Sequence, residues 1–373
     1  NTTEAINLAA GSLGRESGED TAPVVLNTLP EHSSNDLPWR IAPGCSLVRL
    51  PVDAEGFMDM MELETILAAY NQEGKHGKKR IRIVAVSGAS NVLGVCNKMA
   101  EISGIVHRYG ARLLVDAAQL VAHRTVNVEG CGIDYLAFSA HKVYAPFGCG
   151  VWVVRKELLA FNAAELELIR SSGEENVGGI AALGKALVLL QRISMDVIRE
   201  EEQALTAKAL RGMSQIDGLT IYGIKDPASP RFEHKIGVIV FGLKGMMSNR
   251  LADALALRGG IGVRYGCHCA HMIIKRLLNI SPFLEKFQRL IVTLFPKVRL
   301  PGLTRVSLGI ENSEKDVDTL IRVLGNIAGH PRTPAEGRST KVPGETSGVP
   351  KAELQRLIKK FIKEVDEKIY LPG

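Results

Sequence analysis

Apolar residues recur along this chain in two alternating patterns. From about residue 80, short β-branched runs alternate with stretches of helical period. Ile81-Arg82-Ile83-Val84-Ala85-Val86 predicts a strand, and 113–115, 135–138 and 151–154 predict three more. The spacing over 99–109 predicts a helix, with Ile102, Ile105 and Val106 on one face. Near-continuous apolar runs with helices between them predict a mostly parallel sheet covered on both faces. The opening stretch, 3–10, is helix-like as well.

A long helical region over 176–213, carrying Leu183, Leu187, Leu190 and Ile193, predicts a connector. Beyond it the alternation restarts, with strands expected at 219–221, 236–241, 262–264 and 304–308. Helices are expected at 249–257 and 313–327, the latter with Ser313 and Asp316 as an N-terminal capping pattern. The expected fold class is therefore α/β: a large domain over 1–190, mostly parallel sheet, and a smaller α+β domain over 191–328. Residues 329–350, rich in Gly, Pro, Ser and Thr, read as a linker. A C-terminal amphipathic helix over 351–373 places Leu354, Leu357, Ile358, Phe361, Ile362 and Val365 at helical spacing. Its mixed charge (Lys363, Glu364, Asp366, Glu367) favours docking on its own body or a second copy over a membrane surface.

Composition narrows the classes. The 373 residues carry 46 Lys+Arg against 40 Asp+Glu, a net charge of +6. Residues 331–373 hold nine of the basic and six of the acidic residues, so half of that excess sits in the tail. Neither nucleic acid nor a membrane is an expected partner. No basic segment followed by an apolar run opens the chain, which sets a cytoplasmic location as the expectation. Four of the six cysteines (45, 96, 131, 149) are isolated and read as small buried hydrophobes; Cys267 and Cys269 stand close together, and reduced thiols are expected.

The chemistry gathers at strand ends. Asp116 closes one predicted strand; Ser139, His141 and Lys142 follow another. Open α/β sheets aim such ends at one crevice, which here receives a carboxylate, a hydroxyl, an imidazole and an amine. Asp116 and Lys142 taken alone could be a plain ion pair. A desolvated lysine is also what Schiff-base chemistry needs, and a carboxylate facing a pyridine nitrogen is what a pyridoxal phosphate electron sink needs. No Gly-x-Gly-x-x-Gly follows any strand, which excludes a dinucleotide-binding dehydrogenase.

Val115-Asp116-Ala117-Ala118-Gln119 and Ser139-Ala140-His141-Lys142 together resemble the class V aminotransferase group of fold-type I pyridoxal phosphate enzymes, the group that contains the cysteine desulfurases and selenocysteine lyases. The resemblance runs from Asn1 to about Ile327 and implies a homodimer acting on an amino acid. It makes Lys142 the Schiff-base lysine, Asp116 the partner of the pyridine nitrogen and Gln119 that of the ring hydroxyl. Ser139 and His141 would bind the cofactor phosphate, with Thr2 and Thr3 at a helix N-terminus, where a simple N-cap reading also fits. Glu31-His32-Ser33-Ser34-Asn35 resembles the segment whose His stacks on the ring, so His32 is the stacking candidate; a lone His is more often a loop or core residue. Asn91, in Ser90-Asn91-Val92-Leu93-Gly94, would reach the ring hydroxyl region and the substrate carboxylate. Arg305 matches the arginine that clamps that carboxylate.

Arg264-Tyr265-Gly266-Cys267-His268-Cys269-Ala270 resembles the Arg-x-Gly-x-His-Cys-Ala motif of one desulfurase group, with the nucleophilic thiol at Cys269. A sulfur-accepting cysteine works as a thiolate, which Arg264, His268 and His271 would favour as cations. Metal ligation by Cys267, His268, Cys269 and His271 is the weaker alternative, lacking paired Cys-x-x-Cys spacing, and idle thiols in a packed turn are another; no metal is expected. The implied activity is pyridoxal-phosphate-dependent desulfuration of L-cysteine to alanine and an enzyme persulfide, with a protein as sulfur acceptor. Alternatives are a selenocysteine or cystine lyase, an aminotransferase, an epimerase or a non-catalytic homologue. Three departures stand out. Gly173-Glu174-Glu175-Asn176 replaces a Gly-Thr-Pro-Asn phosphate contact, a helical insert over 273–295 is expected near the thiol, and Asn1 falls inside the phosphate-binding turn, as in a chain truncated before its N-terminal arm.

Overall fold

The computed structural model describes residues 1–15, 21–158, 161–171, 176–280, 301–329 and Lys360. Val24, Val25 and Leu26 are wholly buried, so Ala22–Thr28 (β1) is a strand covered on both faces. It pairs in parallel with Ser46–Leu50 (β2) and Lys79–Ser87 (β3). The sheet continues in parallel through Arg112–Asp116 (β4) and Tyr135–Ser139 (β5), and closes with Gly150–Val154 (β6), which runs antiparallel. The strand order is β2-β1-β3-β4-β5-β6.

Helices cover both faces. Thr2–Arg15 (α1) turns Ile6, Ala9 and Leu13 onto Val25, Ile83, Leu114 and the buried Trp39. Met60–Asn71 (α2) and Met99–Arg108 (α3) bring Leu63, Leu67, Ile102 and Val106 to the core that holds Val24, Leu26, Val84 and Val86. Each fully buried aliphatic side chain contributes roughly 1.5–3 kcal/mol. The predicted helix over 99–109 and the four strands after residue 80 are found. Strands β1 and β2 lie ahead of the region where strands were expected.

The connector is two helices, not one. Val177–Ile193 (α4) and Met195–Met213 (α5) meet at Ser194, whose φ of 80° breaks the helical path, and the pair bends by 75°. No single helix among the described residues is long and apolar enough to cross a membrane. A second sheet, wholly antiparallel, follows in the order β7-β8-β10-β9: Leu219–Tyr222, Val238–Leu243, Leu303–Ser307 and Arg264–Gly266 respectively. Its core joins Ile239 and Phe241 to α5, to Ser248–Gly259 (α6) and to Glu314–Gly329 (α7). Asp316 Oδ2 accepts from the Ser313 N–H at 2.8 Å, the expected cap. Strand β8 begins two residues later than expected because the Ile236 N–H bonds the Gly94 carbonyl instead of a ladder partner. The linker from 330 to 350, all of the tail helix but Lys360, Gly173 to Glu175 and residues 281–295 of the insert lie outside the described residues; residues 273–280 of that insert are described, most of them in the helix His271–Leu277.

The two sheets are fastened at the loop after β3. Lys235, only 1% exposed, donates from Nζ to the carbonyls of Leu93 and Val238, both at 2.6 Å. Gly94 sits between them with φ +64°, and a Cβ there would lie 2.4 Å from the Val238 oxygen. Gly11, within α1, has nothing within 4 Å of its would-be Cβ. Gly94→Ala is therefore expected to destabilise the fold by about 3 kcal/mol, whereas Gly11→Ala should stabilise it by about 0.5–1 kcal/mol. Denaturation midpoints that move in opposite directions would bear this out; equal midpoints would refute it.

Candidate active site

Parallel strands deliver their carboxyl ends to one edge of the sheet, and there a cleft of about 1010 Å³ opens against β9 and β10. Asp116, the last residue of β4, is buried at its floor, with Oδ1 accepting from the Ala118 N–H at 3.0 Å. Burial pushes its carboxyl up to about 6, against the downward pull of that N–H and of the Lys142 charge. Gln119 follows on the same wall. Strand β5 ends at Ser139, and a single 3₁₀ turn, Ala140–Lys142, sets His141 and Lys142 into the cleft. Partial desolvation and the nearby Arg305 charge lower the Lys142 amine, and Asp116 acts in the opposite sense.

The helix N-terminus of α1 forms another wall. The Thr2 N–H donates to Ser139 Oγ at 2.8 Å, and the two hydroxyls pair at 2.7 Å. Thr3 Oγ1 pairs with Ser34 Oγ at 2.7 Å. The Ser34 N–H donates to His32 Nδ1 at 3.1 Å, so a neutral His32 carries its proton on Nε2. Burial, then the Lys142 and Arg305 charges, lower the His32 pKa and favour that neutral form. Beneath it Glu31 is buried. Asn35 Nδ2, Ser87 Oγ and the Ser87 N–H donate to its carboxyl at 2.7, 2.7 and 3.0 Å, as does Thr28 Oγ1. Burial nonetheless pushes Glu31 up to about 7.

The second sheet supplies the roof. Arg305 on β10 stands opposite Arg264 on β9. Its Nη1 donates to the Asn91 carbonyl at 2.8 Å, while its buried Nε has no hydrogen-bond partner. Asn91 in turn donates from Nδ2 to the His268 carbonyl at 2.8 Å, which makes it a brace between Arg305 and the cysteine turn. Cys269 is exposed to the cleft. His268 departs from its expected role as a cation. Burial and the Arg305 charge push it down to about 4, and its Nε2–H donates to the Leu303 carbonyl at 3.0 Å. Lys142, Arg264 and Arg305 share the cleft with the thiol, and His271 lines it as expected. Among the described residues no group of three or more His, Cys, Asp or Glu is placed to hold a metal.

Every residue singled out from the sequence lines this one cleft: Thr2, Thr3, His32, Asn91, Asp116, Gln119, Ser139, His141, Lys142, Arg264, Cys269 and Arg305. The parts the sequence reading missed are hydroxyls and one acid: Ser33, Ser34 and Ser87, and the role of Glu31. The signal for Ser34 was its place two residues after His32, where a small hydroxyl can cap a turn.

The family model of the class-V aminotransferases matches residues 1–320. The chain belongs to that family. A cysteine desulfurase of Dickeya dadantii is 32% identical over 349 residues, an alignment covering 87% of this chain and 75% of that one. A probable cysteine desulfurase of Halalkalibacterium halodurans is 29% identical with the same coverage of each. Among solved structures, the apo cysteine desulfurase of Thermococcus onnurineus superposes with a TM-score of 0.73 at 26% identity, covering 88% of this chain and 78% of that one. The fold is that of fold-type I pyridoxal phosphate enzymes.

Class-V aminotransferases depend on pyridoxal phosphate, and the cleft fits that group. A buried carboxyl awaits a cationic partner at Asp116, an amine of lowered basicity stands at Lys142, and N–H and hydroxyl groups gather where α1 begins. Arg305 Nε adds a buried donor without a partner, suited to a carboxylate. The Asp116 carboxyl ionises only above about pH 6, and only its ionised form pairs with a protonated pyridine nitrogen. Pyridoxal phosphate affinity is thus expected to rise with pH through about 6 in the wild-type protein. Asp116→Asn should bind more weakly and lose that component of the pH dependence, read by fluorescence titration from pH 5 to 8. Superimposable profiles would contradict this role for Asp116.

Proposed function

We propose that the protein is a pyridoxal-phosphate-dependent cysteine desulfurase that converts L-cysteine to alanine and leaves the sulfur as a persulfide on Cys269. The observation that carries this reading is the exposed Cys269 thiol in the same cleft as Lys142, Asp116 and Arg305. Family membership and the named relatives support it.

Each residue then has a task its chemistry suits. The group's contribution when bound is an electron sink at the substrate Cα. Lys142 Nζ is the attachment point and afterwards the base that takes the Cα proton; its lowered basicity keeps a larger share of the amine free. Asp116 would hold the ring nitrogen protonated, Gln119 would bond the ring hydroxyl, and the neutral His32 would face the ring. Thr2, Thr3, Ser139 and His141 would hold the phosphate. The free Nε of Arg305 takes the α-carboxylate, with Asn91 fixing the guanidinium from behind. The Cys269 thiolate attacks the substrate sulfur. A sulfur–sulfur bond forms as the substrate carbon–sulfur bond breaks, its electron pair goes to carbon, and protonation there yields alanine. Arg264 adds positive charge near the thiolate. A protein thiol then collects the exposed persulfide sulfur.

Assembly as a homodimer belongs to the same reading. Phe147, Val177, Ile180, Val188, Leu189, Ile193 and Val197 are exposed on and around α4, more apolar surface than a solvated helix ordinarily presents. Ile180→Asp is expected to shift a dimer toward monomer in sedimentation velocity; a wild-type monomer at micromolar concentration would refute the assembly.

The activity has a two-variant test. Lys142→Ala should lose the visible absorbance of bound pyridoxal phosphate and slow alanine formation by at least about 10³-fold. Cys269→Ala should retain the absorbance and lose persulfide and alanine formation together. Alanine produced at the wild-type rate by Cys269→Ala would sink the desulfurase assignment.

A further inference from the structure

The thiol sits on a backbone that is hard to hold. His268 has φ +51° and Cys269 φ +54°, two successive non-glycine residues in the left-handed region. A single such residue is uncommon, and a pair persists only where the surroundings over-determine it. The turn has one bond of its own, from the Ala270 N–H to the Cys267 carbonyl at 2.8 Å. The His268 ring is held by the Leu303 carbonyl at 3.0 Å, and the two carbonyls of the strained pair are held from the first sheet. Asn91 Nδ2 holds the His268 carbonyl, and Ser33 donates twice to the Cys269 carbonyl, from its N–H at 2.7 Å and its Oγ at 2.9 Å.

Resting on the reading that Cys269 accepts the sulfur, we propose that Ser33 is the positioning residue for the thiol, clamping the Cys269 carbonyl with two donors so that Sγ keeps its line of attack. Displacement at divalent sulfur needs the incoming and leaving atoms in line, and small misplacements of a nucleophile cost rate steeply. Ser33 lies between two residues already tied to the site. His32 lines the cleft, and Ser34 Oγ reaches Thr3 at the start of α1. One tripeptide therefore fixes the phosphate-side helix, the imidazole and the thiol turn relative to one another. The Ser33 hydroxyl is near solvent, so its contribution to overall stability is small while its effect on the turn is direct.

The test compares Ser33→Ala, which keeps the N–H and deletes the hydroxyl, with Ser33→Thr, which retains a hydroxyl, both in the full chain loaded with pyridoxal phosphate. In Ser33→Ala, amide exchange at Ala270, whose N–H closes the turn, is expected to quicken about five- to ten-fold. The kcat for alanine formation should fall by a similar factor, with KM for L-cysteine and the cofactor absorbance unchanged. Ser33→Thr should restore both. Wild-type exchange at Ala270 in Ser33→Ala overturns the proposal, as does a lower kcat that follows lost cofactor absorbance. A wild-type protein that forms no alanine overturns the desulfurase reading separately, and exchange at Ala270 then decides the role of Ser33 alone.

Discussion

Parallel pairing is the constraint on which the cleft depends. Strands that run the same way must end on the same edge, and the ladder Ser87↔Asp116↔Ala137 places the ends of β3, β4 and β5 side by side. Asp116 is thereby buried at the centre of the sheet's carboxyl edge, with the Ser139–Lys142 corner on one flank and the loops after β1 and β3 on the other. A carboxyl at the end of a central strand has a paired strand on either side. Its raised pKa is therefore a consequence of topology rather than of any one neighbour.

Half the chemistry, however, comes from the second sheet, and its position is set by polar bonds. Glu31 ties the loop after β1 to Ser87 at the end of β3, which steadies His32 and Ser33. Asn91, carried on the loop that Lys235 and Gly94 fasten to β8, reaches both Arg305 and the His268 carbonyl. A second joint lies on the far side of that loop. There Glu202 on α5 accepts from Arg124 Nη1 at 2.8 Å and pairs with His123, while Arg124 Nη2 donates to the Lys235 carbonyl at 2.6 Å. Buried polar groups of this kind are costly when half-satisfied and specific when complete, so they fix the angle between sheets better than apolar contact alone.

What the sequence made legible follows from how each feature announces itself. The four strands of the first sheet after residue 80 are largely apolar runs and stand where they are expected, whereas β8 and β9 each begin two residues late. β1 contains Pro23 and Asn27, and β2 is a five-residue edge strand with Ser46 and Arg49, so neither has a clear period. The break at Ser194 carries no Gly or Pro, and a continuous apolar stripe hides it. The reactive residues were legible because charged and imidazole side chains at strand ends are rare and occur in motif order. The serines were not, because hydroxyls are common in loops and their roles arise only when distant segments meet. Ser33 and Cys269 are 236 residues apart.

The charges in the cleft bear on how it works as a whole. Among the described residues lining it, Asp116 is the lone carboxylate, facing Lys142, Arg264 and Arg305. The two most enclosed imidazoles, His32 and His268, are held toward their neutral forms by burial and by those same cations, so they add little to the excess. An uncompensated positive field suits a ligand pair that brings a phosphate and a carboxylate. It also couples substrate to base. The Arg305 charge is, after desolvation, the largest influence lowering the Lys142 amine. A carboxylate seated on Arg305 cancels much of that influence, so Lys142 becomes more basic when the substrate arrives and its proton must be taken. On the proposed reading, the residue that would recognise the amino acid thus also tunes the residue that would act on it, through Coulomb interaction across the cleft.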